Sequence, residues 1–168
     1  LYTRALEIDR KDNGEKVPAR LFRLAEAHHQ KGEYEKALAF SEDSLNAMKD
    51  TGDLKNMPFV FSQIGRTYDS MGQYERALEN YLKAAEAEGG GDAEAAMSRL
   101  ADIGMFYEAR GMYDEAYNYF QIALKSGKDS AGRLSRAENL RNAGRVLLYM
   151  KRYAEAQKYL QQAADIDE

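Results

Sequence analysis

The sequence predicts an all-α protein, an α-solenoid of antiparallel helix pairs, and three observations carry that expectation. The string Gly-x-Tyr-x-x-Ala recurs at Gly32 to Ala37, Gly72 to Ala77 and Gly111 to Ala116; Lys151 to Ala156 keeps the Tyr and the Ala but not the Gly. Its tyrosines, Tyr34, Tyr74, Tyr113 and Tyr153, are spaced by 40, 39 and 40 residues, a period that marks stacked supersecondary units. Finally, two Pro in 168 residues, beside abundant Ala, Glu, Leu and Lys, favour helix throughout.

Two further series keep the same phase. Ala25, Gly65, Gly104 and Gly144 lie seven residues before the turn position, and Ser41, Tyr81, Phe120 and Leu160 lie four after the repeated Ala. A Gly at the end of the first helix of a pair can take positive φ and so reverse the chain. The Tyr two residues on is expected to start the second helix and bury its ring between the two. Ala37, Ala77, Ala116 and Ala156 suit close helix contact. Three glycines at one mid-helix phase each cost about 0.5–1 kcal/mol relative to Ala, which implies a compensating close approach. Lys151, standing at the turn, is expected to be strained there.

In chain order, a partial helix is expected near residues 1–11, followed by repeats at about 15–51, 53–90, 92–128 and 130–168. The helix pairs fall near 16–31 and 34–49, 55–71 and 74–88, 93–110 and 113–126, and 131–150 and 153–166. Pro18 and Pro58, at one phase in the first turn of a helix, move two of those starts to about 17 and 57. Asp-Asn-Gly at 12–14, Thr51-Gly52-Asp53, Gly89-Gly90-Gly91-Asp92 and Gly127-Lys128-Asp129-Ser130 supply the linkers. Asp53, Asp92 and Asp129 or Ser130 are the expected N-caps. Tyr2 extends the third series one period upstream, so the chain is expected to open inside a helix and to be a fragment of a larger protein.

Chemistry is thin. Without Cys there is no disulfide, thiol nucleophile or zinc-thiolate site. A balance of 24 basic against 28 acidic residues argues against a nucleic-acid binder, and no apolar run approaches the roughly 18 residues of a membrane span. His28 and His29 point in different directions from one helix, with no third ligand at helical spacing, so no metal site is expected. Gly127-Lys128-Asp129-Ser130 lacks the Gly five residues earlier and the following Ser or Thr of a phosphate loop. No catalytic constellation and no cofactor are expected.

The spacing from Ile64-Gly65-Arg66-Thr67-Tyr68 through Tyr81-Leu82-Lys83-Ala84-Ala85, and from Ile103-Gly104-Met105-Phe106-Tyr107 through Phe120-Gln121-Ile122-Ala123-Leu124, resembles the tetratricopeptide repeat. The period is 39–40 rather than the family's usual 34, and no Pro closes the second helix. In this the chain resembles Pins/LGN-type adaptors, kinesin light chains, bacterial peptide-sensing regulators and the sensory arms of bacterial signalling proteins. The resemblance implies a right-handed superhelix and a binding scaffold whose first helices face a concave groove. Carried over by phase, the groove residues are Phe22, Arg23, Glu26 and His29; Phe59, Gln63, Arg66 and Asp69; Asp102 and Met105; and Arg141, Asn142 and Arg145. Ser62, Glu108, Glu138 and Leu148 share those faces. Arg66, Arg141 and Arg145 would accept carboxylates, and Gln63 and Asn142 would bond a peptide backbone. The chaperone-tail clamp is not reproduced, since Phe22, Glu26, Gln63, Ser98 and Asp102 stand at its phases. The implied partner is a protein or peptide, with a cytoplasmic location as the default. Two alternatives stay open: a sensory or regulatory segment of a larger bacterial signalling protein, and a scaffold that self-associates through its uncapped ends.

Overall fold

The computed structural model describes residues 17–88, 92–126 and 132–167. Within them lie eight α-helices and no strand: α1 Val17–Gln30, α2 Tyr34–Thr51, α3 Met57–Ser70, α4 Tyr74–Ala87, α5 Ala93–Glu108, α6 Tyr113–Ser126, α7 Arg133–Tyr149 and α8 Tyr153–Asp167. The expected partial helix at 1–11 lies outside the described residues. The chain divides into two compact units, Leu1–Ala87 and Glu88–Glu168, each with two helical hairpins. In the first unit α1 pairs with α2 and α3 with α4, and the hairpins meet through α2 and α3. The second repeats this with α5 on α6, α7 on α8, and α6 and α7 joining the hairpins.

The four turns inside the pairs share one backbone. Gly32, Gly72 and Gly111 have φ of 74°, 72° and 71°, and Lys151 adopts φ of 60° in the same place. At the first turn Gly32 N–H donates to His29 O and Glu33 N–H to His28 O, both at 2.9 Å; at the last, Lys151 N–H donates to Leu148 O and Arg152 N–H to Leu147 O. Carbonyls left open at these helix ends are thus satisfied by the main chain of the turn, with Arg110 Nη1 adding a bond to Phe106 O at the third. The turn tyrosines divide: Tyr34 and Tyr113 are half-buried, Tyr113 against the core of the second unit, whereas Tyr74 and Tyr153 do not bury their rings between the helices. Tyr74 is 50% and Tyr153 63% exposed, and Tyr74 Oη comes back within 4.0 Å of the site a Cβ on Gly72 would occupy. The Tyr74 ring covers its own turn, because the first residue of a helix points back over what precedes it.

The core is built from the two remaining series. A methyl group on Gly104 would stand 2.7 Å from the Phe120 ring, one on Gly65 2.9 Å from Tyr81, and one on Gly144 2.8 Å from Leu160. Each glycine therefore makes room for the large residue of the following helix. In the first hairpin the same phases hold Ala25 and the small Ser41, both fully buried. Ala37, Ala77, Ala116 and Ala156 are also fully buried. Around them, Met48, Val60 and Ile64 form a cluster of the first unit, and Ala101, Tyr117, Phe120, Val146 and Leu147 belong to that of the second.

The helix starts differ from expectation at two linkers. Asp92 caps α5, accepting from Glu94 N–H at 3.0 Å and Ala95 N–H at 3.1 Å. Asp53 caps nothing: its carboxylate accepts two bonds from Asn56 Nδ2 at 2.8 and 2.9 Å, and a 3-10 turn, Leu54–Asn56, precedes α3. The fourth first helix starts at Arg133 after an extended Gly132, rather than at 131 after Asp129 or Ser130, which lie outside the described residues. Glu94 occupies the space beside Gly132 and accepts from Ser135 Oγ.

Candidate functional site

In the first unit, α1 and α3 carry eight of the expected groove residues. Phe22, Arg23, Glu26 and Phe59 line a single cleft of about 350 Å³ together with Ala19, Met48, Val60, Asp53 and Asn56. Phe59 is 43% exposed and supplies apolar surface to this cleft. The rim carries both signs: Arg23 against Glu26 and Asp53. Asp53 and Asn56 were not foreseen here, since sequence reasoning placed Asp53 in a cap. No periodic signal marks them, because the irregular turn that holds them lies between helices.

One turn further along α1 and α3 lies a second group. Thr67 Oγ1 spends its proton on Gln63 O at 2.8 Å, so at 3.1 Å it accepts from His29 Nδ1–H. That fixes the tautomer and leaves Nε2 as the ring's acceptor. Burial, and secondarily the Arg66 charge, hold the His29 pKa below its ordinary value, which keeps the ring neutral. Arg66 is exposed, but its Nη2 already donates to Gln63 Oε1 at 2.7 Å. Gln63 itself is 2% exposed, with Nε2 buried and unpartnered, and Asn142 is also buried. These two amides are therefore not surface donors and acceptors for a peptide backbone, contrary to expectation; they face the packed side of their helices. Asp69 is half-buried.

In the second unit the arginines are committed. Arg145 donates through Nε to Glu108 Oε1 at 2.6 Å and through Nη2 to Glu108 Oε2 at 2.8 Å, a fork that joins α7 to α5. The hydrogen bonds to Glu108 are the first cause of the raised Arg145 pKa. A partner carboxylate would have to displace Glu108, so Arg145 is not the open receptor its sequence position implied. Asp102 is held by Arg99 at 3.2 Å, Arg141 is half-buried, and Met105 is 41% exposed. Among the described residues no group of three His, Asp or Glu is placed to hold a metal ion, and no helix is long and apolar enough to cross a membrane.

The model of the tetratricopeptide repeat matches residues 17–87 and 92–168, nearly everything described above. The chain belongs to the tetratricopeptide repeat family. A curated relative, the protein kinesin light chain-related 2 of Arabidopsis thaliana, is 31% identical over 140 residues, 79% of this chain. The chain spans 21% of that relative's length. Among solved structures, BtubC (BKLC) from P. vanneervenii matches with a TM-score of 0.80 at 18% identity, covering 99% of this chain and 70% of that one. The putative kinesin light chain repeats of Podospora anserina match with a TM-score of 0.72 at 18% identity, covering 99% and 83%. The apo form of RapI matches with a TM-score of 0.79 at 18% identity, covering 98% and 47%. All confirm a tetratricopeptide-repeat solenoid fold, and the two family matches coincide with the two compact units. Repeats of this family generally mediate protein–protein interaction and are generally not enzymes.

Proposed function

We propose that the chain is a non-catalytic scaffold that receives a polypeptide segment against α1 and α3 of its first unit. Phe22 and Phe59 take an apolar side chain of that segment, while Arg23, Glu26 and Asp53 select its charged neighbours. One observation carries the reading: Phe22, Arg23, Glu26 and Phe59, assigned to a groove by their phase in the repeat, line one cleft. Burial of an exposed aromatic supplies most of the affinity at such a contact, and charges at the rim mainly supply selectivity. The kinesin light chain relationship agrees with a scaffold.

A photo-crosslinking residue placed at position 59 tests it, with the same residue at the exposed Leu82 of α4 as control. A polypeptide captured from position 59 in the parent cell's extract, absent from 82 and lost in Arg23→Glu, is the expected outcome. Equal capture at both positions, or indifference to Arg23, would remove this cleft from the function.

A further inference from the structure

A second cleft, of about 340 Å³, opens in the second unit among α6, α7 and α8. Its charged lining is Lys125, Arg136 and Lys158, with no carboxylate among its described residues and with Leu124 and Leu140 as apolar wall. Lys125 and Lys158 are exposed and form no ion pair among the described residues; Glu155, one turn before Lys158 on α8, feels the Lys158 charge but is bonded by Arg152 at 2.6 and 2.7 Å. Arg136 touches one carbonyl, Leu124 O, at a long 3.4 Å.

Proton accounting adds a fourth donor. Gln121 Nε2 donates to Tyr117 Oη at 2.9 Å and lies 3.4 Å from Tyr159 Oη, and the two hydroxyls are 3.2 Å apart. One proton serves the bond between them. Tyr117 is 7% exposed and has no other acceptor among the described residues, so its proton is the one used. Burial, then the bond to Tyr159, pushes the Tyr117 pKa up to about 12, which keeps that proton in place at neutral pH. The Tyr159 O–H is left over, on a residue that lines the cleft. Lys125, Arg136, Lys158 and the Tyr159 hydroxyl are donors, and the Gln121 and Gln162 amides are the other polar side chains of the lining.

We propose that this cleft binds a phosphoryl group carried on a side chain of a partner polypeptide. A carboxylate offers two oxygens and one charge; a phosphomonoester offers three terminal oxygens and nearly two charges, the better match to three cations and a hydroxyl. The three cations line one cleft of about 340 Å³, so a dianionic group seated in it would be drawn to all three. This surface is independent of the Phe22–Phe59 cleft, and either can fail without the other.

Nuclear magnetic resonance of the chain titrated with a phosphoserine pentapeptide, its glutamate counterpart and inorganic phosphate tests the site. Saturable amide shifts at Lys125, Arg136 and Lys158 to Gln162 are expected with the phosphopeptide, and about tenfold weaker binding of the glutamate peptide. Lys125→Ala with Lys158→Ala, both exposed positions, should weaken phosphopeptide binding at least about tenfold with unchanged helicity. Tyr159→Phe should weaken it severalfold. Absence of saturable shifts at these residues, equal binding of the glutamate peptide, or unchanged binding by the double lysine variant would overturn the proposal. Inorganic phosphate shifting the same amides more weakly than the phosphopeptide supports it; shifts by free phosphate alone would count against a peptide-borne group.

Discussion

Replacing Lys151 by Gly should stabilise this protein, although it deletes a charged side chain. Lys151 sits at φ 60°, where Gly32, Gly72 and Gly111 stand in the equivalent turns. The left-handed conformation costs a residue with a Cβ roughly 1–2 kcal/mol. Against this, Gly gives the unfolded chain extra freedom, worth about 0.4–1 kcal/mol. The Lys151 side chain is exposed and makes no contact whose loss enters the sum. The turn's bonds, Lys151 N–H to Leu148 O at 3.0 Å and Arg152 N–H to Leu147 O at 2.9 Å, are main chain and survive the change. A net gain of about 0.5–1 kcal/mol follows, or about 1–4 °C in melting temperature for a chain of this length. Urea titration followed by circular dichroism reads it, with Gly72→Lys as the reciprocal variant, expected to lose about 0.5–1 kcal/mol by the same two terms reversed. A Lys151→Gly protein no more stable than the parent would show that left-handed strain does not govern this turn.

Gly104→Ala should destabilise by about 1–3 kcal/mol despite its gain in helix propensity, because the added methyl meets the fully buried Phe120 ring at 2.7 Å; Phe120→Leu in the same chain should recover part of the loss in a thermal melt. His29 binds its proton less readily folded than unfolded, so the unfolded chain gains protons first as pH falls below about 6.5. Stability contributed by this residue is intact above that value and declines towards the lower folded pKa; the urea midpoint of His29→Gln should fall less than the parent's between pH 7.5 and 5.5. Arg145→Glu should cost about 1 kcal/mol or more by setting two carboxylates against each other where the Glu108 fork was. Lower charge repulsion in 0.5 M salt should restore part of that loss, and an unaltered melting temperature in low salt would show the fork to be idle.

The parts of the fold legible in the sequence are those written by local rules at a fixed period. A turn that needs positive φ selects Gly, so the corners at 32, 72 and 111, and the odd Lys151, could be read directly. The pairing of Gly65 with Tyr81, Gly104 with Phe120 and Gly144 with Leu160 was visible as two series, one small and one large. Contacts between neighbouring first helices were not. Glu108 and Arg145 are 37 residues apart, and whether they meet depends on the rotation of α5 against α7, which no spacing encodes. Asp53 was misread because an Asp before a helix has two local uses, and Asn56 three residues on took its carboxylate before the backbone could. Lys125, Arg136 and Lys158 share no phase of the repeat, so the cleft they line was invisible until three helices were placed.

The reversal at each corner is made by main-chain atoms, and that has a practical use. Glu33, Gln73, Met112 and Arg152 open the second helices, and in this role the backbone carbonyl of each accepts from the N–H of Ala37, Ala77, Ala116 and Ala156 in turn, at 3.0 Å. An acid, an amide, a thioether and a base serve equally. Dyes, spin labels or chelating groups attached at Gln73 and Met112 should therefore report on this protein without disturbing the bends beside them.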